Sequence, residues 1–144
     1  MKKNTDLTIG FAMTRIETKQ FAVIEGIYNP GNSMEMNIEI SVSVNIENRL
    51  IVLSSKFMFL TNNQIFIILE IACTFEINKE NWNSFNSETQ LCVPASFVRH
   101  LAMHTVGTAR GVLHAKIENT PHNCIIIPPI NVSQIIGEDF IVQK

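Results

Sequence analysis

The chain has 144 residues, room for one domain and one apolar core, and a chain of this size buries roughly two-thirds of its unfolded surface without metals or disulfides. Its residues are 46% hydrophobic and 17% charged, which excludes a disordered chain. The formal net charge of −2, with eleven basic residues against thirteen acids, argues against a nucleic-acid partner, and high apolar content at low charge suggests surface reserved for another molecule.

The chain opens on Lys2-Lys3, but Asp6 follows, and the run from Leu7 to Met13 holds Thr8 and Gly10 with no small-residue cleavage site after it. No signal peptide is therefore expected. Leu7, Ile9, Phe11, Met13 and, after Thr14, Ile16 predict a first strand, and Phe21 and Val23 a second short extended piece. Tyr28-Asn29-Pro30-Gly31-Asn32 is a loop punctuated by Pro and Gly. Ile38, Ile40, Val42, Val44 and Ile46 then alternate with Glu39, Ser41, Ser43 and Asn45, so a strand here packs one face and wets the other.

A turn at 47–49 leads to a strand over Leu50–Leu60, and a turn at 61–64 to another over Gln64–Ile77. In the latter, Ile65, Ile67, Leu69, Ile71, Cys73, Phe75 and Ile77 are expected on one face, with Phe66, Ile68, Glu70, Ala72, Thr74 and Glu76 on the other. The short connections predict an antiparallel meander. Polar breaks at 54–56 and 61–64 leave apolar pieces too short to cross a bilayer as helices, so no membrane insertion is expected.

Beyond Trp82 a polar loop over 83–87 precedes Pro94, which suits the first turn of a helix. Phe97, Val98, Leu101, Ala102, Val106, Ala109, Leu113 and Ile117 recur at helical spacing, and Gly107 and Gly111 within that pattern mark a kink or a close approach. Asn119-Thr120-Pro121 ends the helix. The run 124–130 is extended and apolar, and its two prolines keep it out of a central ladder. Asn131 with Gln134 predicts the cap of a short helix that Gly137 ends.

Candidate chemistry is sparse. Cys73, Cys92 and Cys124 are odd in number and lack a C-x-x-C pair, so they read as small buried apolar residues of a cytosolic protein. His100 and His104 could point at one ion, but zinc sites normally take a third ligand, and His114 and His122 would join only through tertiary structure, so no metal or other cofactor is expected. Glu70 and Glu76 lie about 20 Å apart along a strand, too far for joint acid–base work. No nucleophile motif or phosphate loop is present, and no catalytic residue is assigned. Aromatic residues gather around one hairpin as Phe57, Phe59 and Phe66. A helix covers one face of a sheet, so some of Phe57, Phe59, Phe66 and Ile68 are expected to leave surface for a second subunit or a bound unfolded chain.

Three patches resemble the SecB-type export chaperones. Phe11-Ala12-Met13-Thr14-Arg15-Ile16-Glu17-Thr18-Lys19 is similar to their opening strand, Val106-Gly107-Thr108-Ala109-Arg110-Gly111 to the close of their long helix, and Ile125-Ile126-Ile127-Pro128-Pro129-Ile130-Asn131-Val132 to their L-x-L-x-P-[VI]-N-F signature. The patches keep the family's order and span Leu7 to Ile136. The resemblance implies a single α+β domain over 1–144: a four-stranded antiparallel sheet with a long helix and a short C-terminal helix on one face. It also implies a homotetramer built as a dimer of dimers, acting in the cytoplasm as an ATP-independent holdase. Such a holdase binds unfolded preproteins and hands them to the SecA translocase. Phe57, Phe59, Phe66 and Ile68 then fall on groove or interface surface, and Glu70 near the acidic residue that contacts SecA. The chain departs from the family in lacking the Gly-Gly bend after the third strand, where Ala72-Cys73-Thr74-Phe75 stands, and in being near neutral. These departures weigh against SecA docking and suit a restricted client set, as in members paired with toxin–antitoxin systems. The alternative is a protein of this fold that binds one dedicated partner or a small apolar ligand, with no export role.

Overall fold

A computed structural model of the chain describes residues 9–144. The predicted start of the first strand at Leu7, and the Lys2–Asp6 segment, lie outside the described residues. The elements in chain order are β1 (Phe11–Val23), β2 (Glu35–Asn45), β3 (Leu50–Thr61), β4 (Gln64–Ile77), α1 (Lys79–Phe85), β5 (Gln90–Val93), α2 (Ala95–Ile117), α3 (Val132–Ile135) and β6 (Phe140–Gln143). The α+β architecture is the expected one. A four-stranded antiparallel sheet in the order β1-β4-β3-β2 carries the long helix α2 and the short helix α3 on one face, and β5 and β6 form a separate ribbon.

Strands β2, β3 and β4 form the predicted meander, and β1 joins it beside β4, so the loop between β1 and β2 crosses the end of the sheet at the β3–β4 turn. Asn62 and Asn63 hold φ of 50° and 61° in that turn, a left-handed pair that asparagine tolerates and that suits a two-residue hairpin. Tyr28 of the crossing loop lies flat on Phe66, with ring centroids 4.7 Å apart. His122, from beyond α2, stacks on the same phenyl ring at 6.0 Å, so this end of the core is closed by three rings from distant parts of the chain.

The two extended pieces expected in the first segment are one strand. Register shifts between Met13 and Arg15 and between Thr18 and Gln20 reset its alternation, so Phe11, Met13, Ile16, Thr18, Phe21 and Val23 all oppose core residues of β4. Each bulge adds one residue to the period and hides a thirteen-residue strand from a strict two-residue reading. Likewise β4 does not keep one face from Ile65 onwards. Phe59 pairs with Ile67 and Leu60 with Ile65, which makes Phe66 the extra residue of a bulge. Phe66 and Ile67 are both buried, and Ile65 moves to the opposite face.

Helix α1 runs into the expected polar loop over 83–87, and the β5–β6 ribbon lies where no element was expected. Asn78 caps α1 by accepting from the backbone N–H groups of Glu80 and Asn81 at 2.9 and 3.2 Å, and the helix buries Trp82 and Phe85. Helix α2 runs unbroken through Gly107 and Gly111, and a Cβ at either position would meet nothing within 4 Å, so no close approach occupies them among the described residues. The 124–130 segment is extended outside any ladder, as its prolines require, with Ile125 and Ile127 buried. Asn131 caps α3 through Ser133, not through Gln134. The core lies between α2 and the inner faces of β3 and β4.

Candidate functional site

Helix α2 is fixed by side chains that hold the C-terminal segment against it. Pro94 supplies no capping side chain, so the orphan N–H of Ala95 donates instead to Asp139 Oδ1 at 2.8 Å. One turn on, Arg99 Nε donates to the Ile136 carbonyl at 2.7 Å. Further along, the Arg110 guanidinium donates to the carbonyls of Ile127 at 2.7 Å and Pro128 at 3.0 Å. Hydrogen bonds from a charged group contribute about 1.5–3 kcal/mol each. Arg110→Ala is therefore expected to destabilise the chain by about 2–3 kcal/mol, and hydrogen exchange will show the amides of 125–127 opening before those of α2.

This strap stops short of the β2 margin and leaves a cleft of about 450 Å³ lined by Val42, Val98, Ile135, Ile136, Gly137, Glu138, Asp139 and Phe140. Its floor continues along β2. Ile38, Ile40, Val42 and Val44 point toward the core, because they pair directly with Phe57, Ser55, Leu53 and Ile51. Those β3 partners are fully enclosed, whereas the β2 row stays half-buried, since α2 packs mainly on β3 and β4. Strand β2 is also a sheet edge with eleven residues in continuous register, so the apolar row adjoins a run of backbone N–H and C=O groups that face no neighbouring strand among the described residues.

The other edge has a different character. Strand β1 is bulged twice and carries Arg15, Glu17 and Lys19, with Lys19 Nζ 2.9 Å from Glu17. That hydrogen bond and charge hold the Glu17 carboxyl below the usual carboxylate range. Bulges and charges are the features that discourage strand pairing at an edge. Apolar surface remains there too: Met13 is 36% and Ile16 54% exposed.

Three of the four sequence-predicted surface residues lie elsewhere than expected. Phe57, Phe59 and Phe66 are fully buried, so as placed they present no surface to a client. Parity puts Phe57 and Phe59 beneath α2 with Ile51 and Leu53, and the β4 bulge turns Phe66 inward under Tyr28 and His122. Ile68 alone lies on the open face, half-buried between Met58 and Ala22. Glu70 shares that face, where its carboxylate accepts from Ser54 Oγ at 2.7 Å and Lys56 stands opposite it in register.

The cysteines are only partly the buried apolar residues expected: Cys73 is buried, Cys92 intermediate and Cys124 exposed. Burial pushes the Cys73 thiol up, against hydrogen bonds from Thr105 and Thr108 that lower it. Burial also raises the Tyr28 phenol, helped by the neighbouring Cys124. In the native protein a thiol reagent is expected to modify Cys124 first and Cys73 only on unfolding, an order that peptide mass spectrometry reads directly.

Sequence reasoning missed Asp139 and Arg99, whose partners are backbone atoms 44 and 37 residues away in the chain. Arg110 carried a signal, since it stands in one resembling patch and its hydrogen bonds end in another. The third patch also meets the helix, where Phe11 packs on Phe97 at 5.6 Å.

No family model and no curated protein matches the chain. Among solved structures, the chain is similar to a SecB-like chaperone from Mycobacterium tuberculosis, solved in complex with a peptide from an antitoxin, with 12% identity and a TM-score of 0.44 over 83% of this chain and 90% of that one. Among the described residues no helix is long and apolar enough to cross a membrane.

Proposed function

We propose that this protein is an ATP-independent chaperone that holds extended, apolar polypeptide at the β2 margin. One observation carries the reading: a half-buried apolar row on an unbulged edge strand whose outer side faces no other strand among the described residues, opening into a cleft. An incoming chain that adds beside β2 gains backbone hydrogen bonds whatever its sequence, and places alternate side chains over the row. Such a protein acts by mass action on the unfolded state and needs no nucleophile or nucleotide. The resemblance of three ordered patches to the SecB-type family supports the same reading. With it come a cytoplasmic location and a homo-oligomer in which a second copy covers Met13 and Ile16.

Suppression of aggregation of an unfolded client, without nucleotide and at stoichiometric ratio, tests the proposal; a purified protein that leaves aggregation unchanged overturns it. A second reading, one dedicated polypeptide partner or small apolar ligand with no export role, is favoured by the small volume of the cleft, which takes few side chains at once. Co-purification followed by mass spectrometry separates the two: many unrelated sequences support the general chaperone, and one recurring species the specialist.

A further inference from the structure

His100 and His104 lie one turn apart on the solvent side of α2, and both are exposed. Their Nε2 atoms stand 3.4 Å from each other, with the rings nearly perpendicular at 87° and their centroids 4.8 Å apart. The arrangement is set from below. The Phe11 ring meets His100 at 5.6 Å and His104 at 5.7 Å, edge to face in both cases, and Phe11 itself is wedged against Phe75 and Phe97. Two imidazole nitrogens 3.4 Å apart, each at ~2.1 Å from a shared ion, subtend about 108° there, the angle of a tetrahedral site.

We propose that His100 and His104 form a bidentate site for a borderline divalent transition-metal ion of the zinc class. Imidazole nitrogen suits these ions, whereas magnesium and calcium prefer oxygen. No group of three or more His, Cys, Asp or Glu converges among the described residues, so those residues supply two ligands and leave the remaining positions to water or another donor. An open position takes water or a donor from another molecule, and binding across one turn braces the solvent face of α2. The site is independent of the β2 margin and stands or falls separately from the chaperone reading.

Zinc titration of the full chain, read by calorimetry and by the imidazole signals in NMR spectra, tests the assignment. One zinc ion per chain is expected, with the ring signals of His100 and His104 moving together and those of His114 and His122 unmoved. Binding should be lost in His100→Asn and in His104→Asn, kept in His114→Asn, and absent with magnesium in place of zinc. Zinc binding that survives both Asn substitutions, ring shifts confined to other histidines, or no binding at all overturns it. The wild-type ring signals decide the matter even if a variant fails to fold.

Discussion

Phe57→Ala is expected to remove about 3–5 kcal/mol of unfolding free energy, the cost of deleting a fully enclosed phenyl ring and leaving a cavity that its neighbours only partly fill. A domain of this kind has a total stability of about 5–15 kcal/mol, so the variant will be marginal at best. The same substitution at a client-facing groove would leave the melting temperature nearly unchanged and weaken client binding instead. Denaturant unfolding of Phe57→Ala therefore separates the core position shown by the structure from the surface position that aromatic clustering suggested. Phe59→Ala should behave alike, since Phe59 is equally enclosed on the same face.

The reason that expectation went astray is specific. Alternation places Phe57 and Phe59 together, and that parity was legible in the sequence; what parity leaves open is which face the helix will cover. The face argument left Ile68 on the open side of the sheet, where it lies half-buried. It failed for Phe66, because a bulge between the Phe59 and Leu60 pairings turned that ring inward. Bulges also merged two predicted pieces into β1. The meander, α2 and the strap with its prolines followed from periodicity and punctuation, where local sequence and tertiary packing agree. The β5–β6 ribbon and the anchors of Asp139 and Arg99 rest on partners distant in the chain, and a local pattern holds no trace of those, whereas α1 carried a local signal in its Asn78 cap. The half-buried row of β2 was read correctly as a strand face, but its incomplete cover depends on where α2 lies across the sheet.

The second large effect concerns that row. Ile40→Lys should weaken client protection by at least about tenfold, because burying an isoleucine side chain contributes about 1.5–3 kcal/mol and a lysine would bring a charge into the same contact. The fold should survive, since Ile40 is only half-buried and the ammonium group of the introduced lysine can reach water from the edge. Ser41→Lys, one residue along and on the opposite face, should leave protection unchanged. Equal losses at the two positions would point to the backbone edge rather than the apolar row as the contact. No loss at either would remove β2 from the site.

The most direct measurement places a photo-crosslinking side chain at Ile40 and, separately, at Ser41, and illuminates each protein in the presence of an unfolded client. Capture from position 40 with little from position 41 is the expected result. Capture absent at 40, or arising only from the open face around Ile68, would contradict a polypeptide-binding margin at β2.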